Sequence, residues 1–458
     1  MQTLRLPRRA ATLLSPSAML AAPSTTTSHP LPRLFSAPLL IAAVALIFRL
    51  ALLFFLRQRL TGPSMPYVIE TTDIAASLAA GRGFASPFPL AHTGATAWVC
   101  PLFPYLLTGI FRFWGTFTQK SLLAIQILNC LFASITVFPI YAAAKRTFGS
   151  AGALFSAWLW VFLPFAWWTP IQDIWDTSLT AFLLAAIFCT TLAIRHRRDL
   201  FSWLAYGALW AFGALVNAAV LSLLPFFFAW LLWQRRDSLS LALPSVALVL
   251  FCFILLPWTI RNHRALGKWI PLRSNFGVEL WLGNNPAAGD PNSFALHPLW
   301  NASEAAEFQR VGEVNYAADK QRAALAYIRA HPTETARAVA DRIWSNWFAV
   351  TDRVNAQWST SPAYVKALFL ANFSMILFAA LGLIVAPREI GAEALPYWIA
   401  VLVFPLPYYL THTLVRYRFP IEPMLTILAA YGALQLWSWV TGRALHTPSR
   451  SAVLKSAR

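Results

Sequence analysis

Two pairs of carboxylates in the 458-residue sequence have the residue type and spacing of acid–base groups. Glu70 and Asp73 are three residues apart, just before the helix-like run AASLAA, so both side chains can share one helical face. Asp173 and Asp176 lie in TPIQDIWDTSL, a short break between two apolar runs. A carboxylate in such a position can accept the proton of an attacking hydroxyl group. We predict catalytic roles for Glu70, Asp73 and Asp176, and a substrate-binding role for Asp173.

A structural interpretation of these acids stays open beside the catalytic one. The positions of Glu70 and Asp73 also fit solvated loop charges or helix caps. If one of them is the base, either residue is a candidate. Asp176 precedes a predicted helix that begins at Thr177, where an aspartate is a favoured cap.

Three arginines have the chemistry of phosphate ligands. Arg416 and Arg418 flank Tyr417 just before the last apolar run, and Arg261 lies in the segment PWTIRN. A guanidinium group binds a phosphate through two parallel hydrogen bonds. The alternative is that these side chains only extend toward lipid headgroups at a membrane boundary. We predict that all three arginines bind substrate.

Asn284 and Asn285, in GNNP, are candidate ligands for sugar hydroxyls, although this segment also has the composition of a turn. His92 and His412 are also predicted to lie outside the membrane, but no cluster of His, Cys and acidic residues has metal-ligand spacing. We therefore predict no cofactor, without excluding a divalent metal. The cysteines are far apart and have no CxxC spacing, which favours packing over disulfides: Cys100, Cys130, Cys189 and Cys252.

Elements that position these residues must lie in a membrane. The chain is 58% hydrophobic and 12% charged, with a mean hydropathy of +0.55, whereas soluble domains carry about 25% charged residues. Lipid admits only helices or closed barrels, and runs of about 20 apolar residues indicate helices. We predict an all-α polytopic membrane protein with 10–11 transmembrane helices from eleven apolar segments: 34–56, 101–114, 121–144, 150–168, 177–194, 201–216, 218–233, 241–260, 366–386, 394–411 and 419–440.

Charge orients these helices. The net charge is +18, and lysine and arginine concentrate in cytoplasmic loops and contact anionic lipid, so we expect membrane lipid and not nucleic acid as a partner. Arg57 and Arg59 are exceptions to this concentration of cations in the cytoplasm, because the predicted orientation places them on the outer side of the membrane. The predicted organisation is a disordered basic cytosolic tail (1–33), an N-terminal transmembrane module (34–260) with an external loop (57–100), an extracytoplasmic helical domain (261–365), C-terminal transmembrane helices (366–440) and a basic cytosolic tail (441–458).

Two segments need a separate interpretation. Segment 101–114 has both ends on the predicted outer side and is short, so we expect a re-entrant or interfacial helix. Within the external domain, the apolar spacing of Glu304–Ala330 predicts one helix that ends at His331-Pro332, and a second helix is predicted over Thr333–Trp347.

Several segments, in order along the chain, resemble GT-C-type glycosyltransferases, in particular the branch of bacterial protein O-mannosyltransferases, aminoarabinose transferases and Rgt-type sugar transferases. The segments are YVIETTDIAASLAAGRGFASPF, TGATAWVCPLFPYLLTGIFRFWG, KRTFG, PWTIRNHRALGKWIPLRSNFGVELWLGNNP, YIRAHP and RYRFPIEP. The resemblance implies transfer of a sugar from a polyprenyl-phosphate donor to a lipid, glycan or protein acceptor. It also implies a catalytic acid in the first external loop, where Glu70 stands in place of the commoner Asp.

The distribution of acids separates the function classes. No acid lies deep inside an apolar run, whereas ion-coupled transporters place ionisable groups near the bilayer midplane. We therefore predict a glycosyltransferase of a bacterial inner membrane whose site faces the periplasm. A transporter or flippase of lipid-linked saccharides is the alternative, and a polymerase or ligase of such saccharides is another.

Overall fold

The computed structural model describes residues 38–60, 69–91, 93–235, 241–288, 296–349 and 363–442. The predicted tail 1–33, His92 and all but two residues of the predicted tail 441–458 lie outside these ranges.

Helices make up nearly all the regular structure of the described residues, which contain no strand beyond two isolated β-bridges at 85–95 and 88–91. The predicted all-α fold is confirmed. In chain order the helices are α1 (Pro38–Leu60), α2 (Glu70–Ala79), α3 (Leu102–Trp114), α4 (Gln119–Ile135), α5 (Val137–Phe162), α6 (Pro164–Gln172), α7 (Thr177–Ile194), α8 (Leu200–Val216), α9 (Leu224–Gln234), α10 (Ala242–Leu266), α11 (Phe276–Gly283), α12 (Ala302–Val311), α13 (Glu313–Ala330), α14 (Pro332–Phe348), α15 (Ala363–Ile390), α16 (Ala394–Val403), α17 (Leu406–Leu410) and α18 (Glu422–Thr441).

The apolar helices are long enough to cross a bilayer. Two of the candidate stretches, of 44 and 48 residues, have the length for two crossings each, since one crossing needs about 20 residues. Two shorter apolar helical stretches, Leu200–Val216 and Ala218–Gln234, add to these. The six candidate stretches within the described residues are Pro38–Leu56, Gln119–Phe162, Thr177–Ile194, Ala242–Leu266, Ala363–Leu410 and Val415–Thr441.

Helix α3 covers the segment expected to be interfacial. Its 13 residues span about 20 Å, less than the hydrocarbon core of about 30 Å. It packs along α2, where the Thr108 hydroxyl and the Arg112 guanidinium donate to carbonyls of Ala75 and Leu78. The length and packing of α3 fit an interfacial helix that supports α2.

The helix expected over Glu304–Ala330 is two helices, so that prediction was wrong. Helix α12 ends at Val311 and α13 begins at Glu313, because Gly312 between them has a φ of 81°. A left-handed conformation interrupts the helical hydrogen bonds, and only glycine adopts it at little cost. Apolar spacing continued across the break and concealed it.

A buried arginine fixes α1 to the bundle. Arg49 is fully buried, and its guanidinium donates to the carbonyls of Ala45, Trp160 and Ala166 at 3.0–3.2 Å. These acceptors belong to α1, α5 and α6, and their dipoles compensate a charge that is costly in a membrane. The arginine of the first span therefore has a packing role.

Candidate functional site

Helix α2 brings both predicted acids to one place. Glu70 is its first residue, Asp73 lies in the same turn, and the Thr72 hydroxyl bonds the backbone of Ile69 just before the helix. Acids in the first turn are favoured by the helix dipole. Glu70 is only 8% exposed, and Asp73 is half-buried. The fold thus buries one carboxylate, and half-buries a second, at the start of one helix.

The carboxylate of Glu70 is incompletely satisfied. Its Oε1 lies 3.4 Å from Nε2 of His297, while its Oε2 is buried without a hydrogen bond from the protein. Burial raises the pKa of Glu70 to about 7, and the charge of Glu279 acts in the same direction, against opposing effects of its backbone hydrogen bond, Arg416 and Arg273. A buried carboxyl that titrates near neutrality has the properties of a general base.

Asp73 titrates together with Glu70. Burial raises the pKa of Asp73 to about 7, and the neighbouring charge of Glu70 raises it further. Its Oδ2 is also buried without a hydrogen bond. Two acids this close do not ionise independently, so the pair can hold one proton near neutral pH.

A third carboxylate, Glu279 on α11, faces the same cluster but stays charged. Its Oε1 accepts from Arg273 Nη2 at 2.8 Å and Asn275 Nδ2 at 2.6 Å, and its Oε2 lies 3.1 Å from His412 Nδ1. Burial alone raises its pKa, but His412 and Arg273 outweigh burial and hold the value at about 2. Glu279 therefore orients cations and does not exchange protons at neutral pH.

Arg416 lies in a 3-10 helix, Val415–Ile421, on the other side of this cluster. Its guanidinium lies 4.6 Å from the ring centroid of Trp175 and 5.3 Å from that of Tyr417. The hydroxyl of Tyr417 lies 3.0 Å from Nε2 of His412. The aromatic rings hold the cation in place without neutralising its charge.

Asp176 lies at the N-terminus of α7, but its side chain does not cap the backbone of that helix. Its Oδ2 accepts from Thr180 Oγ1 at 3.0 Å and Asn217 Nδ2 at 2.9 Å. Burial raises its pKa, against the effect of these hydrogen bonds and of Arg273. Asp173 ends α6, and its backbone carbonyl accepts from Asn129.

Arg418 has a different environment from Arg416. It is 1% exposed, and it donates to Glu422 at 2.7 Å, to Asn372 and to the carbonyls of Asn346 and Trp347. These partners belong to α14, α15 and α18. Arg418 thus joins three helices beneath the segment that carries Arg416.

The other predicted substrate ligands also have protein partners. Arg261 donates to the carbonyls of Phe84, at 2.6 Å, and Thr96, in the loop after α2. Asn284 donates to the carbonyl of Leu410 at 2.8 Å and to one in its own helix, and Asn285 bonds only nearby backbone, as a turn residue does. These contacts shape the polypeptide around the site.

A close backbone approach sets the distance between α11 and the segment that carries His412. A Cβ atom on Gly283 would lie 1.6 Å from the carbonyl oxygen of Thr411, so no other residue fits there. Arg342 of α14 donates to the carbonyls of Gly283 and Thr411 and joins the two segments. The Glu279–His412 contact depends on this junction.

The structure brings together four segments: the predicted external loop (57–100), the predicted extracytoplasmic domain (261–365), and the segments just before α7 and α18. Contacts join Glu70 to His297, Glu279 to His412, and Arg416 to Trp175. The other end of α7, 18 residues or about 27 Å away, holds an ion pair of Arg195 and Glu393. Chemistry-bearing groups therefore gather at one end of the bundle.

Sequence reasoning missed Arg273, Glu279 and His297 as members of the site. The only local signal is RSNFGVE, in which an arginine and a glutamate flank the start of a short helix. Among the described residues, no group of three or more His, Cys, Asp or Glu side chains is arranged to hold a metal ion. The metal and cofactor prediction stays a prediction.

Residues 98–260 match the model of the family described as dolichyl-phosphate-mannose-protein mannosyltransferase, which confirms the resemblance over that part of the chain. No curated protein sequence matches.

Solved structures confirm the GT-C-like fold. The Archaeoglobus fulgidus oligosaccharyltransferase in its apo form aligns with a TM-score of 0.54 and 13% identity over 92% of this chain and 54% of that chain. The same enzyme, AglB, in complex with an inhibitory peptide and a dolichol-phosphate, aligns with a TM-score of 0.51 and 13% identity over 92% and 53%. This chain thus spans about half the length of these relatives.

ArnT from Cupriavidus metallidurans, bound to undecaprenyl phosphate, aligns with 13% identity over 88% of this chain and 79% of that chain. The TM-score of this alignment is 0.37. The fold and the apolar helices establish an integral membrane protein with the architecture of membrane glycosyltransferases.

Proposed function

We propose that this protein transfers a sugar from a polyprenyl-phosphate donor to a hydroxyl or similar nucleophile of a lipid, glycan or protein acceptor. The observation that carries the proposal is the buried, unsatisfied Oε2 of Glu70 in a cluster with the cations Arg273 and Arg416. A base and phosphate ligands in one site are what glycosyl transfer from a phosphate requires. The family match and the fold support the same activity.

Glu70 is the base in this proposal. The acceptor oxygen attacks the anomeric carbon, its proton passes to Glu70, and the bond from that carbon to the phosphate oxygen breaks with its electron pair on the phosphate. Asp73 shares the proton with Glu70 and is the rival base. A pKa of Glu70 near 7 keeps part of the enzyme in the competent form at neutral pH.

The leaving phosphate is bound by Arg416, assisted by Arg273. Arg416 is half-buried beside Trp175 and carries its charge toward Glu70, whose pKa it lowers. Glu279 fixes Arg273 through a 2.8 Å contact and so orients this second cation. Charge-assisted hydrogen bonds of this kind are among the strongest that a protein makes with phosphate.

The remaining predicted residues take supporting roles. Asp176, raised in pKa and held by Thr180 and Asn217, is positioned to bind an acceptor or sugar hydroxyl. Asp173 lies in the same short segment and contributes to the same rim. The groups of Arg261, Arg418, Asn284 and Asn285 bond the protein itself, so we assign them to the scaffold.

An apolar groove offers a place for the isoprenoid tail of the donor. The groove, of about 350 Å³, lies between α3, α8 and α10, and its walls include Tyr105, Trp258 and Arg261. Trp258 also packs with Ile74, the residue after Asp73, so the groove runs behind α2. A dolichol-phosphate bound to the archaeal relative is consistent with a lipid donor here.

We also propose the compartment, a bacterial inner membrane with the site toward the periplasm. Its support is the distribution of charge: the basic linkers around Arg195 and Arg235 lie at the end of the bundle opposite Glu70, Asp73 and Asp176.

The test uses the full chain, purified into lipid nanodiscs, with polyprenyl-phosphate mannose labelled in the sugar and a membrane extract as acceptor. Parallel reactions carry glucose or a pentose on the same lipid. We expect label to move from the polyprenyl lipid to a new product, and Glu70→Ala combined with Asp73→Ala to abolish this transfer. Asp319→Asn, at an exposed carboxylate of α13, is the matched control that keeps activity.

Two outcomes would contradict the proposal. Unchanged transfer in the double variant removes Glu70 and Asp73 from the chemistry. Movement of an intact lipid-linked sugar across vesicles, with no new glycosidic product from any of the three donors, indicates a flippase.

Arg416→Met should weaken binding of polyprenyl phosphate about tenfold or more, whereas Arg82→Met, at an exposed arginine, should not.

A further inference from the structure

We propose that His297 is a positioning residue that donates a hydrogen bond from Nε2–H to Oε1 of Glu70 and so leaves Oε2 as the proton acceptor. This inference rests on the proposed function, because it assigns a partner to the base.

The tautomer of His297 follows from its hydrogen bonds. The backbone N–H of Leu299 donates to Nδ1 of His297 at 3.1 Å, so Nδ1 is an acceptor and carries no proton. A neutral imidazole then carries its proton on Nε2. That atom lies 3.4 Å from Oε1 of Glu70, a long contact of the kind that shortens when substrate binds.

An aromatic cage keeps His297 neutral. The ring packs edge-on against Phe88, with centroids 5.5 Å apart, and against Trp98, at 6.0 Å, while Phe308 closes the same cage. Burial lowers the pKa of His297 to about 4; the charges of Glu279 and Glu304 act in the opposite direction and that of His412 in the same one. A neutral ring orients a carboxylate without forming an ion pair that would hold it permanently ionised.

The other groups that face Glu70 do not donate the hydrogen bond that we assign to His297. Glu279 is ionised and cannot donate, Asp73 shares one proton with Glu70, and Arg273 and Arg416 act on Glu70 through their charges. The Nε2 atom of His297 lies 3.4 Å from Oε1 of Glu70 and is placed to donate to it. Its N–H therefore selects which carboxylate oxygen faces the acceptor.

Two variants separate the donor from the packing. His297→Phe keeps a ring in the cage but removes the N–H, whereas His297→Gln places an amide N–H where Nε2 stood. Both variants lose the contact with Leu299, so this loss does not account for a difference between them. His331→Phe, at an exposed histidine stacked on Tyr327, is the control.

The readout is the pH dependence of transfer from the polyprenyl-phosphate sugar that the wild type uses. Loss of a donor to a carboxylate raises its pKa, so His297→Phe should move the acid limb up by about one pH unit. Transfer at pH 6 should fall about tenfold and recover at pH 9. His297→Gln and His331→Phe should keep the wild-type profile.

Infrared spectra of the carboxyl band, recorded at a series of pH values, measure the protonation of Glu70 without turnover. The spectra of Glu70→Gln are subtracted to isolate the signal of Glu70. If no sugar is transferred by the wild type, the proposed function fails, and this titration still tests the donor. An unchanged midpoint in His297→Phe would overturn the inference. An equal shift in His297→Gln would overturn it as well, since that shift would come from the cage.

Discussion

Glu70 and Glu313 are both buried glutamates at the first position of a helix, yet their surroundings are opposite. Glu313 accepts from Ala97 N–H at 2.8 Å, from the Ser274 hydroxyl at 2.6 Å and from the Thr96 hydroxyl. Glu70 has a backbone hydrogen bond and one long contact with His297, and its Oε2 has no partner. Burial raises the pKa of both, but at Glu313 three donors counter it.

The difference separates a structural carboxylate from a reactive one. The donors to Glu313 come from the loop before α3 and from the segment before α11, so this side chain ties α13 to both of these segments. An unsatisfied buried acceptor, as at Glu70, costs about 1–3 kcal/mol and survives where it serves function.

The largest expected effect is on the rate after Glu70→Gln. Loss of a general base should lower transfer from polyprenyl-phosphate mannose about 10²- to 10⁴-fold. Binding of polyprenyl phosphate should stay, because Arg416 remains. A rate within a factor of three of the wild type would move the base to Asp73.

The same substitution should stabilise the protein at pH 8. The pKa of Glu70 is raised from 4.5 to about 7 in the folded protein. The wild type is therefore most stable below pH 4.5, the pKa of Glu70 in the unfolded chain, and loses stability as the pH rises through about 7, its pKa in the fold. Gln carries no charge to bury, and the gain should reach about 2–3 kcal/mol above pH 7. Unfolding of both proteins at pH 8 and pH 4.5 measures it, and a gap that persists at pH 4.5 would refute this cause.

Glu313→Gln should destabilise the fold by about 1–2 kcal/mol, because an amide cannot accept from every donor that the carboxylate satisfies. Transfer per folded molecule should change little. Thermal unfolding in nanodiscs and activity after heating test both statements; a large loss of rate without loss of stability would give Glu313 a chemical role.

The smallest effect is the pH dependence of the wild type. Transfer should rise with pH and level off above about 7, with at most a tenfold change per pH unit, because Glu70 must lose its proton. The profile of Glu313→Gln should match it. A profile flat between pH 5 and pH 9 would disconnect the rate from Glu70.

The sequence predicted the spans well, since lipid imposes a length on every apolar run. It also predicted that Glu70 and Asp73 lie on one helix, because their spacing is local. It could not distinguish Arg416 from Arg418, two residues apart, of which one reaches the cluster and the other is buried among α14, α15 and α18.

The members that the sequence missed depend on distant contacts. Glu279 is one of nine acids in region 261–365, and its contacts with Arg273 and His412 set it apart. His297 lies beside Glu70 among rings of two segments, the loop after α2 and α12. No local pattern encodes such a partner.

The four-segment origin of the site has a consequence for biogenesis. Arg416 and Tyr417 leave the ribosome more than 300 residues after Glu70, just ahead of α18. Spans that enter the bilayer one at a time acquire their lipid-facing form before this pocket exists. A nascent chain that stops short of residue 412 therefore already carries the acids of α2 but lacks Arg416, and we expect it to transfer no sugar.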